Sequence, residues 1–125
     1  MAEHNDFGKW GEDEAAHFLE RKGYVILEKD WRLGKRDLDI IALTEDQSTI
    51  VFVEVKSRDS NAFQKPEKAV DVPKMRNLAI AANGYIKQNG ISIDVRFDII
   101  SIVGKISHLE SISHIEDAFN PLLIL

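Results

Sequence analysis

Two runs of residues, Asp37-Leu38-Asp39-Ile40-Ile41-Ala42-Leu43 and Thr49-Ile50-Val51-Phe52-Val53-Glu54-Val55-Lys56, stand close together in the chain and are apolar on both faces through their middles. Side chains of a strand alternate between faces, so a strand with one wet face alternates apolar with polar. A run apolar on both faces belongs to a sheet covered on both sides. The link between them, Thr44-Glu45-Asp46-Gln47-Ser48, is turn-forming and too short for a parallel crossover, so the two runs read as an antiparallel hairpin.

The flanking segments supply the covering layers. A first helix is expected from about Lys9 to Lys22, because Phe7, Gly11, Ala15, Phe18, Leu19 and Lys22 recur at helical spacing and Gly23 stops it. A strand over Tyr24 to Trp31, ended by Leu33-Gly34-Lys35, completes a three-stranded meander. Arg58 to Val70 is polar and reads as a loop with a short helical turn. Asp71 then caps a second helix with Pro73 in its first turn and Met75, Leu78, Ala79, Ala82, Tyr85 and Ile86 along one stripe, ended by Asn89-Gly90. A strand over Ile93 to Val103 follows, reached by a connection long enough for a parallel crossover, then a short strand at Ile106 to Leu109 and a weak C-terminal segment. The order is α-β-β-β-α-β-(β), an α/β class with a mixed sheet flanked by helices, and 125 residues without a linker or repeat suit one domain over 1–125.

Composition narrows the function classes. With no cysteine the chain is not a disulfide scaffold, and a reducing compartment, the cytoplasm, is the expectation. The longest apolar run, Leu78 to Ala82, is far short of a membrane span, and the first ten residues do not read as a signal peptide. A net charge of −5 argues against holding nucleic acid by bulk charge. That charge is uneven: Lys56 to Arg76 holds six basic residues, Lys56, Arg58, Lys65, Lys68, Lys74 and Arg76, against the acids Asp59, Glu67 and Asp71.

On the second hairpin strand Val51, Val53 and Val55 share one face and Phe52, Glu54 and Lys56 the other. Alone, Glu54 and Lys56 read as a solvated ion pair. Asp39 changes that reading, because it sits where burial begins and a buried carboxylate costs several kcal/mol unless something positive pairs with it. In the hairpin, Asp39 and Glu54 can lie at the same end of adjacent strands. Two carboxylates brought together raise the pKa of one or call for a cation, and an oxygen-only site with open positions suits Mg²⁺. Lys56 is a fixed cation beside it that could hold a water or stabilise phosphate charge. Glu12, at the margin of the first helix's apolar stripe, reads either as a partner for the helix dipole or as a third acid reaching the sheet.

Asp39, then Glu54-Val55-Lys56 on the next strand, with a helical Glu12 upstream, resembles the D…(D/E)-x-K arrangement of the restriction-endonuclease-like nuclease superfamily. More narrowly, Gly8-Lys9-Trp10-Gly11-Glu12-Asp13-Glu14-Ala15, Asp37-Leu38-Asp39-Ile40-Ile41-Ala42, Phe52-Val53-Glu54-Val55-Lys56-Ser57-Arg58 and Arg96-Phe97-Asp98 resemble the blocks of the small bacterial YraN-like family, related to Holliday-junction resolvases. The resemblance implies a restriction-endonuclease-like mixed β-sheet flanked by helices. It implies Mg²⁺, with Mn²⁺ as a substitute, held by Asp39, Glu54 and the carbonyl of Val55. Lys56 would orient the attacking water and Glu12 would be an auxiliary acid near the metal. One block departs from the family's usual Gly-Glu-Ile-Asp: here it reads Arg36-Asp37-Leu38-Asp39, which removes a glycine and shortens an acid by one methylene.

The expected function is hydrolysis of DNA phosphodiester bonds, with branched and flap structures among the candidate substrates. Lys74 and Arg76 near the positive end of the second helix, with Arg36 and Arg58, are candidate contacts for the nucleic-acid backbone. DNA is favoured over RNA as partner. The alternatives are a nucleic-acid-binding module that keeps the site architecture and cuts nothing, and a structural adaptor whose acids are solvated. Arg96 and Asp98, on one face of the late strand, read as a structural pair. His4, His17, His108 and His114 lack zinc-ligand spacing. The apolar end Pro121-Leu122-Leu123-Ile124-Leu125 fits a cover for the sheet or a contact with a second subunit, which leaves a homodimer open.

Overall fold

Gly11, Ala15 and Leu19 share one face of the first helix, and that face is buried in the computed structural model, which describes residues 2–60 and 71–120 and, for 2–5, the backbone only. The helix, α1, spans Ala2–Arg21. It starts well before Lys9 because the apolar stripe marks only the part that packs; nothing among Ala2 to Phe7 breaks the turns that precede it. Gly11 marks a close approach of α1 to the sheet, since a Cβ there would stand 1.8 Å from the Ser57 hydroxyl oxygen and 3.0 Å from its Cβ.

Strands β1 (Val25–Leu33), β2 (Arg36–Leu43) and β3 (Thr49–Arg58) form the expected antiparallel meander. Helix α2 (Val72–Asn89) then carries the chain to β4 (Asp94–Lys105), which pairs with β3 in parallel, and β5 (His108–Ile115) returns antiparallel. The sheet order is β1-β2-β3-β4-β5, the mixed sheet of the expected α/β order. Both ends of α2 follow from its sequence: the Asp71 carboxylate accepts a bond of 3.0 Å from the Lys74 amide, and Gly90 closes the helix in the left-handed conformation at φ 60°.

The helices cover opposite faces. Leu38, Ile41, Phe52 and Phe97 pack under Leu78, Ala82 and Tyr85 of α2, whereas Ile40, Val51, Val53 and Ile100 pack under Ala15, Ala16 and Leu19 of α1. Fully burying such aliphatic and aromatic side chains is worth about 1.5–3 kcal/mol each, so two buried faces fix the register of the central strands.

The last strand differs from expectation. Ile106 and Ser107 form a turn, Ser107 at φ 67°, and the strand begins only at His108. The turn carries no Asn-Gly or Asp-Gly signal, so its position is not visible in the local sequence. The expected loop from Arg58 begins one residue later, since Arg58 still belongs to β3; the rest of that loop from 61 to 70, with Lys65 and Lys68, and the apolar end 121–125 lie outside the described residues.

Candidate active site at the open end of the central hairpin

Pairing between β2 and β3 runs from Leu43↔Ile50 to Ile40↔Val53 and stops. Continued, the ladder would join Leu38 to Val55. Instead the Val55 amide donates to the Asp39 carboxylate, Oδ2, at 2.9 Å. A residue's N–H and C=O point to the same side of a strand, so the Val55 carbonyl also faces the gap where β2 has turned away.

The turn-away has a local cause. Strict alternation would set Leu38 on the same face as Ile40, yet Leu38 packs on the α2 side and Ile40 on the α1 side. The alternation slips by one across Asp39. Neighbouring β1 is irregular at the same level, where Asp30 has a left-handed backbone, φ 51°, and the pairing of Lys29 with Ile40 resumes at Trp31 with Leu38 in unchanged register. Asp39 is thereby released from both covered faces and can serve groups on either side.

Glu54 is buried on the α2 face. Its Oε2 lies 3.3 Å from the Lys56 ammonium and 3.5 Å from that of Lys74. Burial pushes the Asp39 carboxyl up to about 9, with the Glu54 charge adding to it; the Val55 hydrogen bond opposes this, and Glu12 and a side-chain hydrogen bond with Glu54 add smaller increases. Glu12 lies at the middle of α1, well past the first turn where a partner for the helix dipole would stand, and is raised to about 7 by burial and then by Asp30 and Asp37, with Lys29 opposing. Lys29 itself is paired with Asp13. For Lys74, burial works against the charge, but Glu54, Asp39 and Asp37 outweigh it and hold the ammonium above its ordinary value.

The structure thus brings Asp39, Glu54, Lys56 and the Val55 backbone together, and adds Lys74, a contact that no local pattern announces. Glu12 acts on Asp39 electrostatically; among the described residues no three acids or histidines are grouped as a ready metal cluster. The oxygen donors are two carboxylates and a backbone carbonyl. Of the backbone-contact candidates, Arg36 is exposed at the start of β2 and donates to the Asn77 side chain on α2 at 3.1 Å. Arg58 follows Lys56 on the same face, with Nη2 3.5 Å from the Ser101 hydroxyl and its buried Nε without a hydrogen bond among the described residues. Arg76 is exposed on the first turns of α2.

Arg96 and Asp98 are the expected structural pair. Asp98 is fully buried, receives Arg96 through two bonds of 2.8 Å, the Asp117 amide at 3.0 Å, and contacts His114 Nε2 at 2.7 Å. Among the described residues, no helix is long and apolar enough to cross a membrane.

Residues 11–102 match the family model described as uncharacterised protein family UPF0102. A UPF0102 protein of Bacteroides thetaiotaomicron is 46% identical over 123 residues, covering 98% of this chain and 99% of that one. A UPF0102 protein of Flavobacterium psychrophilum is 44% identical over 119 residues, covering 95% and 98%. Among solved structures, Pyrococcus furiosus SfsA in complex with Ca²⁺ is similar at 15% identity and a TM-score of 0.32, covering 82% of this chain and 58% of that one, a likeness too loose to bear on function.

Proposed function

The chain belongs to the uncharacterised protein family UPF0102, the YraN-like family, and from that premise we propose that it is a metal-dependent nuclease hydrolysing phosphodiester bonds of DNA. The observation that carries the reading is the Asp39 and Glu54 carboxyl pair, set beside Lys56 where the central hairpin opens. A purely structural ion pair needs no second carboxyl at the same point; both ammonium groups lie on Glu54, and Asp39 sits beside them with its proton held rather than with a cation bound to it. A divalent ion is the partner that would take the place of that proton.

The donor set fits Mg²⁺ or Mn²⁺. Asp39, Glu54 and the Val55 carbonyl would hold it, all through oxygen, leaving positions for water and a phosphate oxygen. When bound, the ion supplies Lewis-acid polarisation of the phosphate and a more acidic water. The protein's own groups do the rest. Lys56 orients the attacking water and offsets charge on the phosphate; Glu12 sits at the margin as an acid that exchanges a proton near neutral pH. In the overall step the water oxygen bonds to phosphorus, one P–O ester bond breaks, and the leaving oxygen takes up a proton. Arg36, Arg58 and Arg76 are proposed contacts for the flanking backbone, and branched or flap DNA remains the candidate substrate class.

Incubation of the protein with single-stranded, duplex, flap and four-way-junction DNA, and with RNA, in Mg²⁺ or Mn²⁺, tests the reading beside Asp39→Asn and Lys56→Ala. Cleavage by the native protein that both substitutions abolish is expected. Cleavage that survives both would assign the activity to another site or a contaminant, and salt-sensitive binding without cleavage would favour a binding module.

A further inference from the structure

Lys74 enters the site from a different element than the other charged groups. Its backbone is fixed as the third residue of α2, with its amide held by Asp71 at 3.0 Å and Pro73 before it. Asn77, on the same helix, accepts from Arg36 of β2 at 3.1 Å, which ties this end of α2 to the hairpin. From that anchor the Lys74 ammonium ends 3.5 Å from Glu54 Oε2, the same oxygen that Lys56 approaches at 3.3 Å.

Two ammonium groups on one carboxylate oxygen are more than the ion pair requires. A divalent ion held by Asp39 and Glu54 would repel both. Lys56 is tethered two residues from Glu54 on one strand and stays beside it. Lys74 reaches in on a four-carbon stem, is half-exposed, and is free to turn outward. The anion that would then receive it is the phosphodiester at the metal, which arrives with one negative charge and gains more during attack. We propose that Lys74 is a second catalytic lysine, which holds Glu54 in the metal-free protein and moves to a non-bridging oxygen of the scissile phosphate when metal and DNA are bound. This rests on the nuclease reading of the same site.

The role separates from a structural one by the sign of its effect on metal binding. Without DNA, K74M removes a cation that competes with the ion, so Mn²⁺ titrated calorimetrically into the protein binds tighter by about 3- to 10-fold. At saturating metal and DNA the same variant cleaves more slowly in a single turnover, by about 10²- to 10³-fold, the loss typical of one removed charge-stabilising donor. K74R recovers part of the rate. K87A, which removes the same charge from the far end of α2, changes neither readout. K74Q replaces K74M if the latter melts early. If native protein cuts and K74M cuts equally well, Lys74 has no catalytic role. If K74M weakens both Mn²⁺ binding and cleavage, Lys74 merely supports Glu54 and the proposal fails. If native protein cuts none of the substrates, the nuclease reading falls and this inference with it.

Discussion

The Asp39 carboxyl takes the Val55 amide at 2.9 Å in place of the strand partner that β2 would otherwise have supplied. That substitution places a half-buried acid against Glu54 and gives the metal-free protein an unusual pH response. Between the ordinary aspartate value and about 9, the unfolded chain has released this proton and the folded chain keeps it, so folding takes a proton up and stability falls as pH rises. The slope is at most about 1.4 kcal/mol per pH unit. Thermal melts in chelator are therefore expected to show native protein losing stability from about pH 6 to about pH 8.5, with Asp39→Asn losing much less. Added Mg²⁺ should restore native protein and not the variant. Parallel curves for the two proteins in chelator would remove the basis for a proton-retaining Asp39.

Glu12 is coupled to that behaviour. Its own value of about 7 reflects burial and the acids Asp30 and Asp37, and its charge in turn helps to raise Asp39. Glu12→Gln removes a group whose raised value destabilises the fold above the ordinary glutamate range, so the variant should be the more stable protein at pH 8 without metal. Asp39 should titrate lower in it, by a fraction of a unit up to about one unit. Carboxyl infrared bands followed against pH would measure both changes, and an unmoved Asp39 titration would show that Glu12 lies electrically apart from the pair.

How much of this was legible in the sequence depends on the range of each interaction. Asp71, Pro73 and Gly90 act within a few residues of the helix ends they set, and the runs 37–43 and 49–56 are apolar on both faces, so α2 and the central hairpin could be read directly. The shared end of Asp39 and Glu54 followed from the short turn between their strands. The slip at Asp39 did not: it lies opposite a left-handed residue, Asp30, on another strand, a match no local pattern contains. Nor did the contact of Lys74 with Glu54, which depends on how a helix lies over a sheet, or that of His114 with Asp98, which joins β5 to β4. The start of β5 was misplaced because Ile106-Ser107 turns without a glycine or asparagine.

Asp98 is the carboxylate with the opposite electrostatics. Burial works to raise it, but hydrogen bonds from His114, Arg96 and the Asp117 amide, with the Arg96 charge, hold it below the usual aspartate range. A lowered value contributes stability that is present above the unfolded value and is lost as pH falls through the folded one. Lys22 lies 2.9 Å from His114 Nδ1 and can only donate, which leaves the ring proton on Nε2, facing Asp98. Asp98→Ala would remove the buried acid of the cluster, leaving Arg96 with Glu116 at 3.4 Å and the Tyr24 hydroxyl at 2.7 Å, and should cost about 3 kcal/mol at neutral pH. Urea unfolding at pH 7 and at acid pH checks this. The gap between native and variant should narrow in acid, and a gap below about 1 kcal/mol at pH 7 would mean the cluster contributes no more than a surface pair.

Gly11 determines how closely α1 approaches β3, and so where Glu12 stands relative to Asp39. An alanine Cβ there would fall 1.8 Å from Ser57 Oγ and 3.0 Å from Ser57 Cβ, so the hydroxyl must rotate away and helix and strand must still part by a few tenths of an ångström. Alanine in a helix gains about 1 kcal/mol over glycine, but overpacking costs about 1–3 kcal/mol, and contact at this distance should place Gly11→Ala on the destabilised side. The clash depends on Ser57, which gives a control that propensity alone cannot mimic. In a Ser57→Gly background the same alanine should lose most of its penalty, and the double-mutant cycle should show coupling of about 1 kcal/mol or more. Lifting α1 off the sheet should also draw Glu12 away, lowering the Asp39 titration as Glu12→Gln does. Additive effects of Gly11→Ala and Ser57→Gly, with Asp39 unmoved, would show that the glycine does not set the position of Glu12.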